Sequence, residues 1–142
     1  MSKSYNYKDF KIEILYEDND IAILNKPSGL LTHKKNKLDS SPSLQESLKD
    51  QFAIYDNDNF KEGIVHRLDK DTSGVIVISK NFLSKNRLKD MFKNRNIKKN
   101  YLAFTYGILD KNNFEVNKNI SRNKVQRTKF NVSEKLGKNA IT

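Results

Sequence analysis

This sequence contains no cysteine and only two histidines. Without thiols the chain can form neither a disulfide framework nor a thiolate metal site, and these two histidines do not make a metal-binding cluster. Apolar runs are short: none approaches the roughly 20 residues needed to span a bilayer, and residues 1–9 lack the apolar segment of a signal peptide. We therefore expect a cytoplasmic protein that binds no metal and does not enter a membrane.

Acidic residues are few beside the basic ones. Lysine and arginine number 27 against 17 aspartates and glutamates, so the formal net charge is +10. An excess of this size favours a polyanionic partner, because contacts with phosphates release condensed counterions. Charge alone leaves RNA, DNA and anionic membranes open. The hydrophobic content of 36% over 142 residues fits one domain with one modest core.

The hydrophobic pattern predicts several short strands and no internal repeat. Residues 11–14 alternate at period two, 18–20 consists of turn formers and 21–24 is apolar, which together indicate a β-hairpin. A basic, Asn-rich loop is predicted over 118–127. Further strands are predicted at 64–65, 75–78, 101–109 and 129–132.

Two helices are predicted between these strands. Ser43 and Glu46 fit a capping box, and the apolar residues that follow at helical spacing indicate a buried face. The residues of this face are Leu44, Leu48 and Phe52. A second helix is predicted over 81–94, and its apolar face consists of Leu88, Met91 and Phe92. The order of strands and helices lacks regular βαβ alternation and indicates the α+β class.

The segment 63–78 places reactive side chains between two apolar runs. Asp69 lies in a polar loop between Arg67 and Lys70, and a turn over 72–74 leads into the next strand. The apolar framework on both sides is expected to hold Asp69 in place. From the residues alone, Asp69 is either a catalytic carboxylate or a residue that caps the turn.

Three segments of the chain resemble the RluA family of RNA pseudouridine synthases. Residues 66–74 contain His-Arg-Leu-Asp followed by Thr-Ser-Gly, which resembles the catalytic signature of that family. Upstream, 23–33 contains Lys-Pro-Ser-Gly, and downstream, 98–103 reads Lys-Lys-Asn-Tyr-Leu-Ala; both resemble family segments. Three matches in the family's order are not expected by chance.

The resemblance implies the pseudouridine synthase core, a mixed, largely antiparallel sheet flanked by helices around an RNA-binding cleft. It covers 12–142 as the catalytic domain, and 1–11 is expected to form an N-terminal extension. Members of the family continue beyond the equivalent of Thr142 with further strands and a basic residue that pairs with the catalytic aspartate. The domain is therefore expected to be incomplete at its C-terminal end, and the full domain is expected to be a monomer.

The resemblance also implies a reaction, the isomerisation of specific uridines in ribosomal or transfer RNA to pseudouridine. In this reaction the bond between N1 and C1′ is cut, the base turns, and C5 is joined to C1′. By resemblance Asp69 is the catalytic aspartate, which either attacks C1′ or acts as a base that starts an elimination on the ribose. Neither route requires a metal or an organic cofactor.

Four other residues receive roles from the resemblance. Tyr101 matches the tyrosine that stacks on the uracil and assists proton removal from C5, although its alternation with neighbours also fits plain sheet packing. Arg67 matches an arginine that fills the space of the extruded base and bonds phosphate; without the motif it is a solvated surface charge. Lys26 and Lys70 are assigned to phosphate contacts with the RNA. His66 is interpreted as a buried, hydrogen-bonded structural imidazole.

Two other classes of protein remain open. A truncated, catalytically impaired RNA-binding remnant would use the same basic loops and Tyr101 for stacking and phosphate contact without chemistry. An unrelated basic structural protein would need only the charge of +10. The second alternative does not account for the three ordered segments.

Overall fold

The chain folds into two compact units, each with its own antiparallel sheet. The computed structural model describes residues 3–34, 36, 38–52, 63–126, 129–134 and 136–142. The first unit comprises residues 1–99 and the second residues 100–142. Sheets and helices occur together without βαβ alternation, so the protein belongs to the α+β class that the sequence predicted.

The described residues of the first unit form a four-stranded sheet and two helices. Its strands are β1 (Lys3–Tyr7), β2 (Phe10–Glu17), β3 (Ile21–Lys26) and β4 (Gly74–Ser79). They lie in the order β1-β2-β3-β4, and every neighbouring pair is antiparallel. Its helices are α1 (Leu44–Gln51) and α2 (Phe82–Lys93). The predicted hairpin is therefore β2–β3, and the strand predicted at 75–78 is β4.

The core lies against one face of this sheet. Alternate side chains of β2, β3 and β4 point to this face, as the period of a pleated strand requires. The buried apolar residues are Ile12, Ile14, Ala22, Leu24, Leu30, Leu44, Leu48, Phe52, Ile64, Ile76 and Ile78. Three of them form the face predicted for α1, and the Ser43 side chain accepts a hydrogen bond from the Glu46 N–H at 3.3 Å. The predicted start of this helix is confirmed.

The second helix also begins where the sequence indicated. Asn81 precedes α2, and its side-chain oxygen accepts a hydrogen bond from the Ser84 N–H at 2.9 Å, which satisfies a donor of the first turn. Leu88 and Phe92 are half-buried, whereas Met91 is 43% exposed. Two of the three residues of the predicted apolar face therefore lie on the inner side of the helix.

The N-terminal segment contributes a strand that local sequence did not indicate. Residues 3–7 pair with β2, and Tyr5 and Tyr7 pack against the core. The Tyr7 hydroxyl donates a hydrogen bond to the Glu46 carboxylate at 2.8 Å. The segment 1–11, expected to be an extension, thus includes an edge strand of the first sheet, and the boundary at residue 12 stays a prediction.

In the second unit, the part of the chain that the structure describes forms a three-stranded antiparallel sheet. Its strands are β5 (Asn117–Arg122), β6 (Phe130–Ser133) and β7 (Lys138–Ile141), in the order β6-β5-β7. The strand predicted at 129–132 corresponds to β6. Gly137 has φ +102°, and a Cβ there would lie 2.4 Å from the carbonyl oxygen of Ile120. Glycine at this position therefore allows the backbone to approach β5 closely.

Three predictions of secondary structure are wrong. The segment 64–65 contains a single bridge residue, Ile64, opposite Ile78. The segment 101–109 is not a strand: none of the described strands pairs with it, and its apolar side chains are exposed. The predicted loop 118–127 contains most of β5, because two neighbouring strands supply the hydrogen bonds that its polar sequence does not suggest; residue 127 lies outside the described residues.

Candidate active site

The loop that carries Asp69 is attached to the outer edge of β4. The Gly63 carbonyl oxygen accepts hydrogen bonds from the N–H and from the hydroxyl of Ser79, both at 2.9 Å. Further along, Nε2 of His66 accepts a hydrogen bond from the Val77 N–H at 2.9 Å. The loop therefore supplies acceptors to donors of an edge strand that would otherwise need water.

His66 is held as a neutral imidazole. Its ring stacks on Phe92 of α2, with centroids 4.5 Å apart and planes inclined by 25°. Burial lowers the pKa of the His66 imidazole from 6.5 to about 4, and the positive charge of Lys99 acts in the same direction. Because Nε2 accepts a hydrogen bond, it carries no proton. These contacts agree with the structural role expected for this residue.

These contacts of His66 predict a pH dependence of stability. The folded imidazole takes up a proton near pH 4, whereas the unfolded one does so near 6.5, so the unfolded state binds more protons between these values. The contribution of His66 is therefore fully present above pH 6.5 and is lost as the pH falls through 4. The free energy of unfolding, measured by urea denaturation, is expected to decrease between about pH 7 and about pH 5. This decrease is expected to be smaller for His66→Gln than for the unsubstituted chain. Equal decreases would contradict the proposed linkage.

Asp69 and Arg67 form an exposed ion pair. The Asp69 side chain is 87% exposed and the Arg67 side chain 72% exposed, with 3.7 Å between Oδ1 and Nη2. The Asp69 carbonyl oxygen closes a turn by accepting the Thr72 N–H at 3.2 Å. The backbone of Asp69 therefore makes the turn, and its carboxylate is presented to solvent next to a guanidinium.

Lys26 does not contact solvent. Its side chain is fully buried, and Nζ donates hydrogen bonds to the carbonyl oxygens of Pro27 (3.0 Å), Leu30 (2.8 Å) and Lys70 (3.1 Å). Burial lowers the pKa of this ammonium, and the carboxylates of Asp71 and Asp69 act in the opposite direction. The predicted phosphate contact of Lys26 is wrong, because an ammonium enclosed by three carbonyl oxygens cannot also reach RNA.

The remaining predicted residues divide between the two units. The Lys70 side chain is exposed beside Asp69, and its predicted contact with phosphate stays a prediction. Tyr101 belongs to the second unit, where it is 66% exposed and lies outside any strand. The sheet-packing alternative for Tyr101 is therefore excluded within the described residues of that unit, and its catalytic role stays a prediction.

Thr32 is a site residue that sequence reasoning missed. It is 3% exposed, and its Oγ1 donates a hydrogen bond to the Leu68 carbonyl oxygen at 2.6 Å and accepts one from the Leu68 N–H at 3.3 Å. A single threonine between Leu31 and His33 gives no signal of such a contact in one sequence. Leu68 precedes Asp69, so this hydroxyl holds the backbone immediately before the carboxylate.

The described residues contain no group of three or more His, Cys, Asp or Glu side chains that could hold a metal ion. Among the helices of the same residues, none is long and apolar enough to cross a bilayer.

Residues 20–142 match the RNA pseudouridylate synthase family. Because this match covers most of the chain and includes the Asp69 loop, the chain belongs to that family, as the resemblance predicted.

Two relatives give the extent of the similarity. The chain is 41% identical over 130 residues to ribosomal large subunit pseudouridine synthase C of Rickettsia felis, which is 91% of this chain and 41% of that protein. It is 37% identical over 134 residues to ribosomal large subunit pseudouridine synthase D of Borreliella burgdorferi, which is 92% of this chain and 41% of that protein. The chain thus spans about two fifths of the length of these curated relatives.

Among solved structures, human RNA pseudouridylate synthase domain containing 4 is similar to this chain with a TM-score of 0.45 and 26% sequence identity. The similarity covers 58% of this chain and 30% of the human one.

Proposed function

We propose that this chain carries the catalytic aspartate of an RNA pseudouridine synthase that acts on ribosomal RNA. The observation that supports the proposal most directly is the exposed Asp69 carboxylate beside Arg67, on a loop whose backbone is fixed from both sides. A uridine extruded from RNA can reach a carboxylate presented in this way. The relatives named as ribosomal large subunit pseudouridine synthases favour ribosomal RNA over transfer RNA as the substrate.

The reaction is an isomerisation, so nothing is gained or lost overall. The bond between N1 and C1′ breaks, a bond between C5 and C1′ forms, the proton on C5 is released, and N1 takes up a proton. Asp69 either attacks C1′ to give a covalent sugar intermediate or removes a proton from the ribose to start an elimination. In both routes the carboxylate must be ionised and next to the sugar. In this proposal Arg67 bonds an adjacent phosphate with its guanidinium.

The test is release of tritium from uracil C5, because formation of the C5–C1′ bond must expel that hydrogen. The unsubstituted chain is incubated with ribosomal and transfer RNA that carry tritium at C5, and binding of each RNA is measured in parallel. Release from ribosomal RNA that depends on Asp69 supports the proposal. Release from transfer RNA alone would overturn the assignment of the substrate. RNA binding without release would instead support the RNA-binding remnant.

Replacing Arg67 by alanine is expected to weaken RNA binding about tenfold, because a charge-assisted hydrogen bond to phosphate is lost. A plot of the logarithm of the RNA-binding constant against the logarithm of the salt concentration is expected to become shallower by roughly 0.7 to 0.9, the contribution of one phosphate contact. Filter binding at several salt concentrations is the measurement. Arg87→Ala on the exposed surface of α2 is the matched control, since it removes the same charge. An equal loss in both variants would contradict a specific role for Arg67.

A further inference from the structure

The backbone carbonyl oxygens of residues 68–71, which include that of Asp69, each accept a hydrogen bond. The Leu68 oxygen accepts from Thr32, the Asp69 oxygen from the Thr72 N–H, and the Lys70 oxygen from Lys26 and from the Gly29 N–H. The next oxygen, of Asp71, accepts from the Ser28 hydroxyl at 2.9 Å. Four consecutive peptide groups thus have fixed partners, and three of the four are bound by the segment 26–32.

We propose that the segment 26–32 is a clamp that sets the position of the Asp69 carboxylate, with Thr32 and Lys26 as its positioning residues. This inference rests on the proposed function, since it assigns these two residues to the reaction of Asp69. The two residues act on opposite sides of the carboxylate: Thr32 binds the residue before Asp69, and Lys26 binds the residue after it. Neither side chain is exposed, so both act through the loop and not through RNA.

Thr32 fixes both polar groups of one residue. Its hydroxyl donates to the Leu68 carbonyl oxygen and accepts from the Leu68 N–H, so rotation of the backbone at Leu68 would break both bonds. Leu68 is itself only 7% exposed, so water cannot easily replace them. Because Asp69 follows directly, its Cα is fixed relative to β3 and the segment after it.

Lys26 fixes the other side at the cost of burying a charge. An apolar side chain would fill the position without that desolvation cost. For Lys26 the cost is offset by three carbonyl oxygens that converge on Nζ and accept its hydrogen bonds. One of these oxygens belongs to Lys70, and the same oxygen accepts the Gly29 N–H at 2.9 Å. The ammonium thus joins the loop of 27–30 to the turn that begins at Asp69.

A clamp of this kind matters for catalysis because the carboxylate is on a surface loop. Exposed loops generally move more than the elements they connect, whereas a group that reacts with a sugar carbon must be held close to its reactive geometry. The clamp limits motion of the backbone and leaves the Asp69 side chain 87% exposed for the substrate.

The clamp is tested with variants that remove or retain one polar group at Thr32 or Lys26. Thr32→Val keeps the shape of the side chain and removes both bonds to Leu68, whereas Thr32→Ser keeps the hydroxyl. Lys26→Met removes the ammonium and retains a long, unbranched side chain. Ser47→Ala is the matched control, because Ser47 is 4% exposed and its hydroxyl donates to the Leu44 carbonyl oxygen at 2.8 Å within α1, away from the loop.

Hydrogen exchange of backbone amides, measured by NMR, does not require activity. The Thr72 N–H, which is bonded to the Asp69 oxygen, is expected to exchange at least about tenfold faster in Thr32→Val and in Lys26→Met. Amides of β2 and β3 are expected to keep their protection. Thr32→Ser and Ser47→Ala are expected to leave Thr72 exchange unchanged. Unchanged Thr72 exchange in Thr32→Val, or equal acceleration of Thr72 and the strand amides, would overturn the clamp.

Single-turnover tritium release gives the catalytic readout. Thr32→Val is expected to lower the rate about tenfold or more with RNA affinity unchanged, and Thr32→Ser is expected to restore it. A loss that serine does not restore, or one that appears only as weaker RNA binding, would overturn the positioning role. If the unsubstituted chain gives no Asp69-dependent release, the proposed function fails, and the exchange of the Thr72 amide alone decides whether the clamp exists.

Discussion

Asp69→Asn is expected to lower pseudouridine formation at least about 10³-fold, the loss of about 4 kcal/mol of transition-state stabilisation. Asparagine has nearly the shape of aspartate, but it lacks the negative charge that either route needs at the sugar. RNA affinity is expected to change little, because the carboxylate itself does not attract phosphate. Single-turnover tritium release at saturating protein measures the chemical step separately from binding.

Asp71→Asn is the matched control for this prediction. Asp71 lies two residues further on the same turn, is also exposed, and loses the same charge on substitution. Its carbonyl oxygen, which accepts from the Ser28 hydroxyl, is not altered by the change. We expect Asp71→Asn to retain the rate within about threefold. Equal losses in both variants would mean that the charge of the loop matters and that Asp69 has no special role.

Gly63→Ala is expected to lower the free energy of unfolding of the first unit by about 3 to 5 kcal/mol. Gly63 has φ +76°, and a Cβ there would lie 2.0 Å from the carbonyl oxygen of Ser79 and 3.0 Å from a methyl carbon of Ile78. The first distance is far below a possible contact with backbone, so the segment must move away from β4. Two hydrogen bonds from Ser79 to Gly63 would be lost with it. Urea denaturation measures the change.

Gly74→Ala separates the steric clash from backbone strain. Gly74 also has positive φ, at +127°, but a Cβ there meets no atom within 4 Å. Its substitution is therefore expected to cost only the strain of an L residue in this region, about 1 to 3 kcal/mol. A loss in Gly63→Ala no larger than that in Gly74→Ala would contradict the close packing of the loop on β4.

Local signals in the sequence predicted the parts of the fold that local chemistry specifies. The alternation at 11–14, the turn at 18–20 and the cap at Ser43 each describe contacts within a few residues, and the structure contains all three elements. The strands at 3–7 and 117–122 were missed because their own sequences are mostly polar, and pairing with neighbouring strands creates them. The segment 101–109 has strand-like composition, but composition does not provide a partner.

A sequence motif indicated part of the candidate site, whereas the direction of side chains, which one sequence does not give, decided the rest. Asp69 and Arg67 were named from the signature, and the structure places them as an exposed pair. Lys26 was misassigned because the sequence gives its charge but not the direction of its side chain, which alternation along β3 turns inward. Thr32 went unnoticed because its partner, Leu68, is 36 residues away.

The pairing of β3 with β4 has a consequence for how the first unit folds. β1, β2 and β3 are joined by short turns, so they can pair early from contacts that are local in the chain. Pairing of β3 with β4 instead joins residues far apart in the chain, since Ile21 lies opposite Ser79. This pairing covers the core and, in the same step, brings the loop around Asp69 into place. We expect the geometry of the Asp69 loop to appear only in the last cooperative step of folding, so the activity proposed for this loop would report on the fully folded unit.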